Sequence, residues 1–335
     1  METMRVVALE EHCSFPPFIA EIDSDTIERR GFREGSGADS RRQPLSEVGA
    51  ERIAAMDAAG ITVQVLSVVG PGADLLSPEA GPAFAARYND AVAAIVRERP
   101  DRFAAFAHLP LTAPAAAADE LERAVRDLGF CGALVNGVTD GKFLDDPMFE
   151  PLLARAEALD VPLYIHPGIP PESVRRAYYD GFEPAVSYAL AAAGWGWHAE
   201  TAVHVLRLVL SGALDRHPDL KIIIGHMGEG LPTMIARCDA TLGKVTPYLQ
   251  RSISQTILDH VVITTSGFFT LPPFIAAVMT FGIDRILFSV DYPFASNVAA
   301  RTFLDTLPVP PDDRAKIAHR TADAILKLRP PVPVA

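Results

Sequence analysis

The chain has 335 residues, 49% of them hydrophobic, and a formal net charge of -12. That is enough apolar material for a large core and one extended domain spanning 1–335, and an acidic balance that argues against nucleic acid or an anionic membrane surface as partner. No apolar run approaches the roughly 20 residues a membrane helix needs, and the charged start leads straight into a strand rather than a signal peptide, so a cytoplasmic protein is expected.

The first element is Arg5-Val6-Val7-Ala8-Leu9-Glu10-Glu11-His12. Its apolar run reads as a buried strand that ends in acid-x-His. Side chains alternate along an extended chain, so Glu10 and His12 are expected on one side, with Glu11 on the other, towards the wall or solvent. A polar segment from Glu21 to Glu47 follows, long enough to be a functional loop. A helix with Ile53, Met56 and Ala59 on one face, stopped by Gly60, leads to strand 63–68. Strands 103–107, 133–135, 162–165, 220–225, 261–265 and 286–289 then alternate with helices 80–99, 114–128, 147–159, 198–210, 231–248, 272–280 and 312–328. Residues 167–196 form one long connection, and the Pro-rich tail 329–335 is expected to be irregular. Alternation of this kind specifies a parallel sheet, and eight units specify a closed (β/α)8 TIM barrel. An open doubly wound sheet is the rival, and no G-x-G-x-x-G follows a strand to support it.

Three more strands end like the first, in His166, His226 and Asp291. A barrel brings all its strand C-termini to one face, so Glu10, His12, His166, His226 and Asp291 are expected to meet there. Imidazole and carboxylate together suit zinc, manganese or another divalent ion. The cysteines, Cys13, Cys131 and Cys238, are odd in number and show no C-x-x-C, which disfavours a disulfide framework and points to a reducing compartment.

The segments Ala8-Leu9-Glu10-Glu11-His12, Met56-Asp57-Ala58-Ala59-Gly60-Ile61, Gly132-Ala133-Leu134-Val135-Asn136-Gly137, Tyr164-Ile165-His166-Pro167, Gly225-His226-Met227-Gly228-Glu229-Gly230-Leu231-Pro232, Thr264-Thr265-Ser266-Gly267 and Phe288-Ser289-Val290-Asp291-Tyr292-Pro293-Phe294 occur in this order. With them the chain resembles the amidohydrolase superfamily, and within it the aromatic-acid decarboxylases acting on γ-resorcylate, 2,3-dihydroxybenzoate and 5-carboxyvanillate. The resemblance implies metal ligands Glu10, His12, His166 and Asp291, with His226 facing substrate or water and held by Glu229. Many superfamily hydrolases carry a bridging Lys on strand four. Here that strand ends in Asn136, so one divalent ion (Mn2+ or Zn2+) is expected. Arg52 and Arg237 match positions where relatives place arginines near a carboxylate, Arg237 serving its own or a neighbouring subunit's site. Asn136, Phe15 and Phe294 are the remaining candidates for substrate contact, with Trp195 as a further aromatic wall. The loop Val69-Gly70-Pro71-Gly72-Ala73-Asp74 departs from the family pattern, as does the Arg- and Ser-rich loop after strand one.

The expected activity is metal-dependent, non-oxidative decarboxylation of a hydroxylated aromatic acid. Carboxylate and ortho hydroxyl would be held on the ion, and a protonated Asp291 would give its proton to the ring carbon bearing the carboxylate. The same ligands could serve a hydrolase of amides or lactones, and a non-catalytic barrel is the remaining rival. Tyr178, Tyr179, Phe182 and Tyr188 make the 167–196 connection aromatic, which predicts a homodimer or homotetramer joined through it.

Overall fold

The computed structural model describes residues 4–29 and 42–328. The middle of the polar Glu21–Glu47 segment and the tail Arg329–Ala335 lie outside the described residues. Short helices Ser24–Arg29 and Arg42–Ser46 flank that middle part.

Among the described residues there are eight strands: β1 (Val7–Cys13), β2 (Val63–Val68), β3 (Phe103–Ala105), β4 (Ala133–Asn136), β5 (Leu163–His166), β6 (Ile222–Ile224), β7 (Val261–Thr264) and β8 (Ile286–Leu287). All pair in parallel, in the orders β1-β2-β3 and β4-β5-β6-β7-β8. Parallel bridges join the two groups at both seams, Ala107 to Ala133 and Glu11 to Tyr292. Backbone bonds Ala107 N–Gly132 O and His12 N–Tyr292 O, each 2.8 Å, reinforce them. The sheet is thereby a closed ring with its helices outside, the expected TIM barrel.

Two apolar clusters follow from strand alternation. Val7, Leu9, Val63, Val65, Leu134, Tyr164, Ile223 and Leu287 pack together inside the ring, with Ala322 and Leu326 of the C-terminal segment against them. Ala8, Leu66, Ala105, Val135, Ile165, Ile224 and Ile263 belong to the outer cluster, shared with the helices. Strict alternation after Leu9 would send Glu10 outward with Ala8. The β1–β2 register shifts between Ala8 and Glu11, and this irregularity changes the parity. Glu10 and His12 consequently turn inward above Leu9, an example of a bulge re-aiming side chains beside a site.

Several expected boundaries differ. Residues 167–196 contain helices Glu172–Tyr178 and Pro184–Ala191. The helix after β6 stops at Leu242, before Gly243, and a separate helix Ile253–His260 precedes β7. Its N-cap is Ser252, whose side chain accepts from Gln255 N at 3.1 Å. A further helix, Asn297–Thr306, is capped by Ser296. The expected final helix is broken by a π turn at Lys316–Arg320. That widened turn turns a carbonyl to the barrel: Phe288 N donates to Ile317 O at 2.9 Å, which ends β8 two residues early.

Candidate metal and active site

The site lies at the C-terminal ends of the strands. Glu10 Oε1 is 3.9 Å from His12 Nε2, 3.3 Å from His166 Nε2 and 3.5 Å from His226 Nε2. Asp291 Oδ1 is 3.3 Å from His12 Nε2. The sequence places all five at strand ends, and the structure brings them to one point.

Three of these side chains, Glu10, His12 and His226, are aimed by a second contact, while His166 Nδ1 has no hydrogen-bond partner among the described residues. Glu10 Oε2 accepts from Ser266 Oγ at 2.7 Å and from the Tyr164 hydroxyl, and Ser289 Oγ accepts from Glu10 N at 2.7 Å. One carboxylate oxygen is thus tied down and the other left to face the imidazoles. Ser67 Oγ lies 3.0 Å from His12 Nδ1, which turns Nε2 inward. Glu229 Oε1 lies 2.7 Å from His226 Nδ1 and does the same for that ring. Such outer contacts set tautomer and orientation in metal sites. Glu11 faces the wall and is fully buried, accepting from Gln64 Nε2 and Val290 N at 2.9 Å each.

The backbone is strained where the site is built. His226, Met227, Glu229 and Asp291 have φ of 50°, 54°, 55° and 75°, a left-handed region that costs a non-glycine residue energy. The turn after β6 packs His226 and Glu229 into four residues, so that one side chain holds the other.

Electrostatics follow from burial and proximity. Burial alone would raise the Glu10 carboxyl, but His226, His166 and His12 overrule it and hold it well below the usual carboxylate range. Burial, then the Glu10 charge, hold Asp291 well above it. Burial opposes charge on His226, but Glu229 and Glu10 lift it to about 10. Burial lowers His12 to about 4, leaving a neutral imidazole free to act as a ligand.

The residues fit a divalent cation. Glu10 Oε1 and His12 Nε2 are buried with no hydrogen-bond partner among the described residues. The ligand atoms of Glu10, His12 and His166 lie within 4.8 Å of one another, as do those of Glu10, His226 and Asp291. A buried carboxylate oxygen and a buried imidazole nitrogen aimed at one point need a cation between them, and an oxygen and nitrogen donor set without sulfur suits manganese or zinc.

The substrate-contact candidates divide. The Phe294 ring meets His12 edge-on at 5.6 Å and forms part of the mouth. Asn136 ends β4, paired with His166, half-buried. Phe15 instead stacks on Tyr88 at 5.5 Å within an aromatic group with Phe18. Arg52 is fully buried rather than solvated. Its Nη2 donates to His12 O at 2.5 Å and Pro44 O at 3.1 Å, and its guanidinium lies 4.8 Å over the Tyr292 ring. It braces the end of β1, with Nε and Nη1 unpartnered among the described residues. Arg237 is exposed on helix Leu231–Leu242 and makes no hydrogen bond or ion pair among the described residues. Trp195 is 64% exposed, whereas Trp197 lies 6.5 Å from the His166 ring.

Sequence reasoning missed Tyr164, Ser266, Ser67 and His198. The first three are common polar residues whose partners are distant in sequence. His198 opens the expected helix 198–210 directly after Trp197, which was the available signal; its Nδ1 lies 2.5 Å from Glu229 Oε2.

Residues 11–328 match the model of the amidohydrolase family. The chain belongs to the amidohydrolase family. It is 39% identical to a γ-resorcylate decarboxylase of Rhizobium sp. (strain MTP-10005), over 96% of this chain and 98% of that one. Among solved structures it resembles the 2,6-dihydroxybenzoate decarboxylase from Rhizobium, with a TM-score of 0.86 and 38% identity over 97% of this chain and 99% of that one. A dihydroxybenzoic acid decarboxylase from Polaromonas sp. JS666, with bound manganese and the inhibitor 2-nitroresorcinol, gives a TM-score of 0.85 at 35% identity, with 97% of each chain covered. These amidohydrolases share the barrel on which the present cluster is built.

Proposed function

We propose that this amidohydrolase is a metal-dependent, non-oxidative decarboxylase of a hydroxylated aromatic carboxylic acid, built as one barrel domain over 1–335. The observation that carries the reading is the convergence of Glu10 Oε1, His12 Nε2, His166 Nε2 and Asp291 Oδ1, the first two buried with no hydrogen-bond partner among the described residues. Near full-length similarity to γ-resorcylate decarboxylases supplies the substrate class. We assign those four residues as metal ligands. Manganese is preferred because a similar Polaromonas enzyme holds it, and zinc suits the same ligands. A divalent cation held there supplies Lewis-acid charge that anchors a carboxylate beside an ortho hydroxyl and stabilises the phenolate.

The chain's own residues do the rest. Asp291 in its protonated form, which burial and the Glu10 charge favour and a bound cation would oppose, would give its proton to the ring carbon bearing the carboxylate. A C–H bond forms there, the C–C bond to the carboxylate breaks, its electron pair restores the ring, and CO2 leaves. His226, charged against Glu229, stands within 4.8 Å of the Asp291 ligand atom and supports return of a proton to it. Phe294 and Trp197 flank the ring. Arg52, through Nη1, and Arg237, from its own or a neighbouring subunit, are the candidate anchors for a second anionic group, and Asn136 for a hydroxyl. The free thiols of Cys13, Cys131 and Cys238 suit a reducing cytoplasm. Tyr178, Phe182 and Trp195, exposed at 75%, 60% and 64%, support a homodimer or homotetramer joined through residues 167–196.

The test is reconstitution. Metal-stripped protein supplied with Mn2+ should release CO2 from 2,6-dihydroxybenzoate in step with metal bound, and His166→Ala should lose both. Full metal content and rate in that variant would place the site elsewhere.

A further inference from the structure

Glu229 is the one carboxylate of the site bound at each oxygen by a different imidazole. Its side chain is fully buried, with His226 Nδ1 at 2.7 Å from Oε1 and His198 Nδ1 at 2.5 Å from Oε2. A carboxylate only accepts, so both Nδ1 atoms carry hydrogen. On the other side of the His198 ring a donor and an acceptor compete for Nε2. The Trp197 indole N–H, a donor only, reaches His198 Nε2 at 3.2 Å. The Ala193 carbonyl lies 3.1 Å from the same nitrogen. The ring is clamped as well, 4.7 Å from the His226 ring and 5.6 Å from Phe268, which also packs on His226 at 5.8 Å.

We propose that His198 is a positioning residue of this site: by donating from Nδ1 to Glu229 Oε2 it locks the carboxylate whose other oxygen orients His226. The proposal rests on the decarboxylase reading for its kinetic consequence, not for its geometry. Without His198, Oε2 becomes a buried acceptor with no protein donor, and the carboxylate turns to find one. Oε1 then no longer holds His226 in a single orientation, and Nε2 no longer faces Glu10 at 3.5 Å. Since His226 stands at the reacting end and the substrate's anchors lie elsewhere, the loss belongs to turnover and not to binding.

The test compares His198→Ala with His198→Asn, whose side-chain N–H can stand where Nδ1–H stood. In the manganese-loaded enzyme, His198→Ala should lower kcat about tenfold and leave KM within about twofold, the scale of losing an outer contact. His198→Asn should recover most of the loss, and metal content should stay at the wild-type level in both. A readout independent of activity is the ring Nδ1–H resonance of His226 in 15N-histidine-labelled, zinc-loaded protein. It should stand far downfield in wild type and His198→Asn, and broaden or move upfield in His198→Ala. An unchanged His226 resonance in His198→Ala would overturn the proposal. So would a His198→Asn enzyme as impaired as His198→Ala. If wild type turned over no hydroxybenzoate, the decarboxylase reading would fall, while the resonance would still decide the positioning.

Discussion

Glu10 has one oxygen bound to Tyr164 and Ser266 and the other facing three imidazoles. Losing Ser266 Oγ frees the first oxygen to swing, so Ser266→Ala should weaken metal binding about tenfold, measured by competition with a chelator. Wild-type affinity in that variant would mean that Tyr164 suffices. Gly225 sets a second limit, because a Cβ there would stand 2.6 Å from Glu10 Oε2 and 3.2 Å from the Tyr164 hydroxyl. Gly225→Ala should therefore displace Glu10 and cut bound manganese to a small fraction, by elemental analysis, in a protein that still folds. For the proton donor, Asp291→Asn keeps the shape and loses the transferable proton. The decarboxylation rate should fall by roughly a thousandfold or more, with KM far less affected, the scale of general acid catalysis. The five converging residues were legible because each ends an apolar strand. His198, Ser266 and Tyr164 were not, because a serine or tyrosine acquires a role only from what the fold sets beside it. Arg52 shows the converse: its position was legible, while its burial and its bonds to the His12 and Pro44 carbonyls depend on helix Arg42–Ser46 packing beside the end of β1.

At the scale of elements, β1 carries the sharpest lesson. Alternation correctly put Glu10 and His12 on one side, yet it could not foresee that Leu9 also faces inward, since that follows from the register shift against β2. Helices Ile253–His260 and Asn297–Thr306 were missed although Ser252 and Ser296 cap them. Both are short and lie inside connections where the strand–helix alternation had already been satisfied. Two buried histidines tie loops to the frame: His204 Nε2 accepts from Leu144 N at 2.9 Å, and His108 Nε2 from Ala73 N at 2.8 Å. Burial lowers them to about 3 and about 4. In the unfolded chain they take up a proton near pH ~6.5. Below that pH the unfolded state holds more protons than the native state, so their contribution is full above it and is lost as pH falls towards 4. Thermal unfolding followed from about pH 7 to 4.5 should show this decline, and His204→Gln, which keeps an acceptor for Leu144 N without titrating, should flatten it. An equal slope in wild type and variant would remove His204 from the account.

The whole molecule is an acidic barrel of net charge -12 that is read as taking an acid as substrate. A divalent ion reverses the field locally, and local charge governs the encounter. With the Glu10 carboxylate beside it the ion's positive charge is partly offset, so the substrate carboxylate alone is a weak handle and the ortho hydroxyl is required as a second one. The exposed aromatics of residues 167–196 lead to a prediction at this scale too. Sedimentation at micromolar concentration should give a dimer or tetramer, and replacing Phe182 and Tyr178 with serine should shift it towards monomer; a wild-type monomer would remove that surface from the account. The barrel itself was legible from the alternation of apolar strands and helices. Its closure followed from the count of eight units; what the sequence did not show is that the two seams rest on single bridges at Ala107 and Glu11. Decarboxylation through a chelated ortho hydroxyl is decided by CO2 release from a panel of benzoates at fixed Mn2+. Acids with an ortho hydroxyl should react, while benzoate, 3- and 4-hydroxybenzoate and the ortho-methyl ethers should not; equal rates with and without that hydroxyl, or cleavage of lactones in preference to any acid, would contradict the account.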